Sequence, residues 1–222
     1  MDTSCELLSV ALDSKTGVFY TEVDTVSGPS HSEFLLECAE GLCKTAGIRP
    51  SELGKVLCMN GPGSFTGLRI GFSTAKGLAL ALGIPLLALP TLDCIAYSFS
   101  SWPGIILPAI DAKKGCFFTA FYRDGKRLTD FLDLSPETLV TELIKTRNFP
   151  DEPLLLTGSG AELLLSRLSE FNLQHIKIDP YFRIGKAREL LEIAKSSIYS
   201  MSNYNDLGPI YLRKSDAEQN FG

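Results

Sequence analysis

The residues best placed to do chemistry form one run, Asn60-Gly61-Pro62-Gly63-Ser64-Phe65-Thr66-Gly67-Leu68-Arg69-Ile70-Gly71. It lies between an apolar stretch, Lys55 to Met59, and a helical pattern, Leu68 to Leu82. A glycine-rich turn joining a strand to a helix aims backbone N–H groups at an anion. This one lacks the Gly-Lys-Ser/Thr ending of a phosphate-binding P-loop, so it has the form of a nucleotide loop without its chemistry. The six cysteines, Cys5, Cys38, Cys43, Cys58, Cys94 and Cys116, form no C-x-x-C pair. In apolar surroundings they read as reduced core residues of a cytoplasmic protein. A metal site is the weaker second reading, because only His31 and His175 could add imidazole ligands. No Ser-His-Asp or Cys-His arrangement is readable, and nothing supports a protease.

The helix after the glycine run has Gly67, Gly71, Ala75 and Ala79 at every fourth position. That spacing makes one stripe of small residues, flanked by Leu78 and Leu82. A glycine inside a helix costs about 1 kcal/mol relative to alanine, so a close approach by something else is expected to offset it. One reading is packing inside the chain, against a helix over residues 32–46 whose apolar face carries Leu35, Leu36, Ala39, Leu42, Cys43 and Ala46. The other is that both helices together face another protein.

The elements that must position these residues alternate. Strands are expected over Leu7–Leu12 and Val18–Val23 as a hairpin. A helix follows, capped by Ser30 with Glu33 and stopped by Gly47. Strands 55–59 and Ile84–Leu89 flank the small-residue helix, and Thr91–Phe99 is helical. Further strands are expected at Ile105–Ile110, Cys116–Tyr122 and Leu154–Thr157. Helices are expected from Ser135-Pro136, after Gly158-Ser159-Gly160, and over Ala187–Ile198. Ile210 to Arg213 is a final extended piece. The order implies a mixed α/β protein of two similar halves, divided as 1–101 and 102–222. With 45% hydrophobic and 21% charged residues the chain is globular. A net charge of −5 without a Lys/Arg block argues against autonomous nucleic-acid binding. No apolar run is long enough to span a bilayer, and the first residues do not read as a signal peptide.

Asp2-Thr3-Ser4 before a hairpin, Gly61 to Gly71, Ile110-Asp111-Ala112-Lys113-Lys114-Gly115 and Pro209-Ile210-Tyr211-Leu212-Arg213 together resemble the TsaB family, formerly YeaZ. The resemblance implies an α/β fold of two similar subdomains, of the acetate kinase, sugar kinase, Hsp70 and actin (ASKHA) type. It implies a non-catalytic partner of a larger paralogue, TsaD. With TsaE, which binds ATP, and TsaC, which supplies threonylcarbamoyl-adenylate, such partners serve threonylcarbamoyl transfer to adenosine 37 of tRNAs reading codons that start with A. No cofactor is expected to be held tightly by this chain, ATP being used by the complex, and tRNA is met only through it. The implied interface, for TsaD or for a second copy, is Leu35, Leu36, Ala39, Leu42, Cys43, Gly67, Gly71, Ala75, Leu78, Ala79 and Leu82. Family members carry apolar residues before Asp-Thr-Ser; here Met1 directly precedes Asp2, so the first strand is expected to be short or missing, or the start to lie upstream.

The catalytic paralogue holds a metal through His-x-x-x-His, and the two matching positions here are Thr91 and Ile95. Asp111, ending a buried strand, would with Asp2 mimic the acids that hold Mg-ATP in kinases of this fold; stabilising turns through side-chain bonds to backbone is the favoured alternative. Gly158 and Gly160 read either as a remnant of an adenosine loop or as an ordinary turn. The competing function is an ATP-binding small-molecule kinase or ATPase of the same fold.

Overall fold

The computed structural model describes residues 1–25, 31–148, 151–181, 185–196 and 208–213. The first half runs β1 (Leu7–Ser14), β2 (Gly17–Asp24), α1 (His31–Ala46), β3 (Val56–Met59), α2 (Phe65–Leu82), β4 (Leu86–Leu89) and α3 (Thr91–Tyr97). The second runs β5 (Ile105–Asp111), β6 (Phe117–Thr119), β7 (Tyr122–Arg123), β8 (Lys126–Arg127), β9 (Leu132–Leu134), α4 (Pro136–Thr146), β10 (Leu154–Thr157), α5 (Ala161–Leu168), β11 (Ile176–Ile178) and α6 (Ala187–Lys195). The expected Ser30 cap and the end of the Ala187–Ile198 helix fall on residues outside this description. Among the described residues, no helix is long and apolar enough to cross a membrane.

The chain forms two compact units, Met1–Cys94 with Gly185–Ile210, and Ile95–Ile184 with Tyr211–Gly222. The expected division at residue 101 therefore needs correction. The helix α6, late in sequence, belongs to the first unit because its apolar face, Leu190 and Ile193, packs on Leu57, Met59, Leu87 and Leu89. The alternate residues Val56, Cys58 and Leu86 face Phe72, Ala75 and Ala79 of α2. A strand turns successive side chains to opposite faces, so β3, covered on both, is buried at every residue. On β1, Leu8 and Val10 meet Leu35 and Leu42 of α1.

Within this unit β1–β2 and β3–β4 are separate pairs, and residues 1–3 join them. Asp2 exchanges two backbone hydrogen bonds with Ser9, at 2.8 and 2.9 Å. On its other side the Met1 nitrogen donates to Leu57 O at 3.0 Å, and Met59 N–H donates to Met1 O at 3.3 Å. The short first strand expected from the sequence is this stub.

The second unit is built on β5, whose residues Ile105 to Ile110 are all buried. β10 and then β11 add in parallel, while β6 and then β9 add antiparallel. Leu139 and Leu143 of α4 and Leu164 and Leu168 of α5 fill the core against Ile105, Leu107, Leu154 and Leu156. The single strand expected over Cys116–Tyr122 is two. β6 pairs with Ala109–Asp111, Ala120 and Phe121 break the ladder, and Tyr122 pairs with Ile106. Asp124 and Gly125, at φ 51° and 70°, then close the β7–β8 hairpin, the Asp-Gly pair favoured where both turn residues take positive φ. Ile210–Arg213 forms no strand. In the second unit Arg213 grips both oxygens of Asp133 at 2.8 Å.

Candidate functional site

The glycine run leaves β3 through a cis Gly61–Pro62 bond and enters α2 at Ser64, whose hydroxyl accepts from Gly67 N–H at 3.3 Å. The N-terminal segment occupies the space around this loop. Ser64 N–H donates to Ser4 O at 2.7 Å, and Thr3 Oγ1 donates to Gly67 O at 2.8 Å. A Cβ on Gly67 would overlap the Thr3 carbonyl oxygen, one on Gly71 the Thr3 hydroxyl, and one on Gly63 the Ser4 carbonyl oxygen. The glycines are thus needed for close approach of the chain's own backbone, and the loop clamps residues 3 and 4.

Asp2 is 1% exposed. Its Oδ1 accepts from the Ser4 N–H and hydroxyl at 2.9 and 2.7 Å, and its Oδ2 accepts from Lys186 N–H at 3.0 Å. This carboxylate ties the stub to the start of α6. Asp111 in the second unit has a comparable duty. It accepts from the Lys113 N–H and ammonium at 2.8 and 2.9 Å, holding a turn in which Lys113, Lys114 and Gly115 all have positive φ. Both acids accept from the backbone N–H two residues further on. Gly158, at φ +87°, and Gly160 lie where a Cβ would press on the backbone of Ala109 and of Ile110–Asp111, so the β10–α5 turn needs them for packing against β5.

The residues expected at the interface differ in exposure. Leu35, Leu42, Cys43, Gly67, Gly71, Ala75 and Ala79 are buried inside the first unit. The small-residue stripe packs within the chain: Gly67 and Gly71 lie against Thr3, and Ala75 and Ala79 against Val56, Cys58 and Leu86. Of the remaining residues, Leu36 is 52% exposed, while Ala39, Leu78 and Leu82 are half-buried. Leu80, 59% exposed, was missed because it lies off the four-residue stripe. Of the two large exposed aliphatic side chains on these neighbouring helices, Leu36 is among the expected residues and Leu80 is the one that sequence spacing concealed.

His31 is held by the Cys5 carbonyl oxygen at 2.9 Å, and His175 lies 3.8 Å from Asp151. Among the described residues no group of three His, Cys, Asp or Glu is placed to hold a metal ion. Thr91 and Ile95 are buried. Burial pushes the Cys5 and Cys58 thiols up to about 12 and Cys94 well above its ordinary value, which keeps them protonated and poorly nucleophilic at neutral pH.

A family model described as TsaD, tRNA N6-adenosine threonylcarbamoyltransferase, matches residues 23–145. The chain belongs to this family, in its TsaB (YeaZ) branch. It is 29% identical over 163 residues to the tRNA threonylcarbamoyladenosine biosynthesis protein TsaB of Bacillus subtilis, covering 73% of this chain and 71% of that one. It is 32% identical over 127 residues to the protein of the same name from Escherichia coli, covering 55% and 53%. Its fold is that of YeaZ from Pseudomonas aeruginosa, with a TM-score of 0.78 at 24% identity over 95% of this chain and 97% of that one. The α/β class implied by the sequence resemblance is therefore the fold of this chain.

Proposed function

We propose that this TsaB chain is a non-catalytic subunit of the apparatus that places a threonylcarbamoyl group on adenosine 37 of tRNAs reading codons that start with A. It activates a TsaD paralogue by docking on it, with TsaE as a further partner. It meets tRNA only through the complex and binds no cofactor tightly, the ATP being used by other subunits. The observation that carries this reading is the commitment of the glycine loop and of Asp2. The groups that would serve a phosphate and its metal ion instead hold residues 2–4 to α2 and to α6. Family membership supports the tRNA pathway, and the exposed Leu36 and Leu80 support docking through α1 and α2, since exposed apolar groups on a well-packed unit mark interaction sites.

Leu36→Glu and Leu80→Glu test the docking face. Each is expected to abolish retention by immobilised TsaD from the same genome, with the melting temperature of the isolated chain unchanged. Retention of both variants at the wild-type level would refute the assignment. Binding of millimolar ATP to the isolated chain, lost in Asp111→Ala, would point to the kinase alternative.

A further inference from the structure

In the first unit β2 pairs with β1 along one edge, and among the described residues nothing pairs with its other edge. Backbone groups point out along that free edge. Ser9 exchanges both its backbone hydrogen bonds with Asp2, on the side of β1 away from β2. Ser9 lies opposite Glu22, so these two form a non-hydrogen-bonded pair. The alternation of an antiparallel ladder makes Ala11–Tyr20 and Asp13–Val18 pairs of the same kind. The N–H and C=O of Val18, Tyr20 and Glu22 therefore face away from β1. Free edges are normally blunted by a short strand, a proline, a lysine or a bulge. Here β2 runs for eight residues, Gly17–Asp24, with no proline or lysine among them. It pairs with β1 in unbroken register, without a bulge, and Val18 is 48% exposed.

We propose that this edge is the seat of the same strand from a second copy of the chain, so that two protomers join β2 to β2 about a twofold axis. The order of charges along the strand selects this occupant. Lys15 lies in the hairpin turn at one end of β2, and Glu22 and Asp24 lie at the other. A twofold axis makes the contact isologous and the two strands antiparallel. The Lys15 end of each copy then lies beside the acidic end of the other. A parallel neighbour of the same sequence would set acid against acid, which is destabilising. The outward groups fix the register. With the axis at Tyr20, Tyr20 faces the partner's Tyr20, Val18 faces the partner's Glu22, and Glu22 faces the partner's Val18. Each of these pairs exchanges two backbone hydrogen bonds, and every outward group of the three residues is used. The central side chain is already fixed within its own chain: the Arg188 guanidinium lies 4.4 Å over the Tyr20 ring, and the Tyr20 hydroxyl donates to Gly185 O at 3.1 Å. This surface is separate from Leu36 and Leu80, and the inference is independent of the tRNA reading.

Sedimentation velocity of the whole chain, from low to high micromolar concentration, reads the association, and a concentration-dependent dimer is expected. Val18→Pro leaves the pairing with β1 intact, because the N–H it removes faces outward, where an edge strand tolerates proline. It deletes one donor from each copy and is expected to weaken the dimer by roughly tenfold or more. Tyr20→Cys sets each new thiol opposite its own copy, at a Cα separation of about 5.5 Å, within the reach of a disulfide. Mild oxidation is expected to link two chains at position 20, identified by peptide mass. Glu22→Cys, whose copies lie roughly 13 Å apart along the paired strands, is expected not to link at position 22. The oxidation result stands by itself if Val18→Pro does not fold. A chain that is monomeric at every concentration overturns the proposal. So does a dimer that Val18→Pro leaves intact and Leu36→Glu dissociates, or linkage at position 22 as fast as at position 20.

Discussion

Gly67→Ala and Gly77→Ala place the same change in the same helix and are expected to act with opposite sign. Alanine is favoured over glycine in a helix interior by about 1 kcal/mol, and its effect on the unfolded chain is common to both sites. At Gly77 a Cβ meets nothing within 4 Å, so that variant gains about 0.5–1 kcal/mol. At Gly67 the Cβ overlaps the Thr3 carbonyl oxygen, and backbone cannot yield by a rotamer change. Moving residues 3 and 4 aside breaks the Thr3 Oγ1–Gly67 O and Ser64 N–Ser4 O hydrogen bonds, each about 1 kcal/mol. The overpacking itself costs about 1–3 kcal/mol. After the helix gain, Gly67→Ala is left about 2–4 kcal/mol less stable than wild type, a fall in Tm of roughly 5–15 °C. Urea unfolding followed by circular dichroism reads both values, with unchanged m as the control for two-state behaviour. A Gly67→Ala midpoint equal to that of Gly77→Ala would refute the clamp.

Asp2→Ala strips the acceptor from the Ser4 N–H and hydroxyl and from Lys186 N–H; a loss of about 3 kcal/mol is expected in the same assay. In the second unit, Arg123 forks onto the buried Glu152 at 2.7 and 2.8 Å. Arg123→Ala leaves that carboxylate unpaired and is expected to cost about 3–5 kcal/mol at pH 7. Burial pushes the Glu152 pKa up, but Arg123 and the Asn148 N–H outweigh it and hold the carboxyl below its ordinary value of 4.5. Its contribution is therefore present above pH 4.5 and is lost as pH falls through the lowered folded value. The deficit of Arg123→Ala should accordingly shrink in unfolding measured at acid pH. Leu36→Glu and Leu80→Glu, on exposed positions, should change stability by no more than about 0.5 kcal/mol, read from their Tm.

Periodicity located the first hairpin, α1 and α2, and continuous apolar runs located the buried strands around Cys58, Leu87 and Leu107, because each is a local pattern of apolar residues. The direction in which the Gly67–Ala79 stripe faces is not local. Gly67 and Gly71 meet Thr3, more than sixty residues away, Ala75 and Ala79 meet β3 and β4, and small residues suit an internal contact and an external one equally well. The return of α6 to the first unit was illegible for the same reason, since its amphipathic face names no partner. The β7–β8 hairpin was not among the expected elements, although Asp124-Gly125 carries its signal in the sequence. The acids show the limit most clearly: carboxylate types at strand ends fit a metal or a turn, and the backbone donors that favour the turn at Asp2 and Asp111 appear only in the structure.

The most direct measurement is a drop-out reconstitution. Substrate tRNA, threonine, bicarbonate and ATP are mixed with TsaC, TsaD and TsaE from the same genome, with and without this chain, and modified adenosine is quantified. A non-catalytic activator predicts product only when the chain is present, and the same yield with Asp111→Ala, whose carboxylate holds the 112–115 turn. Equal product without the chain would contradict it.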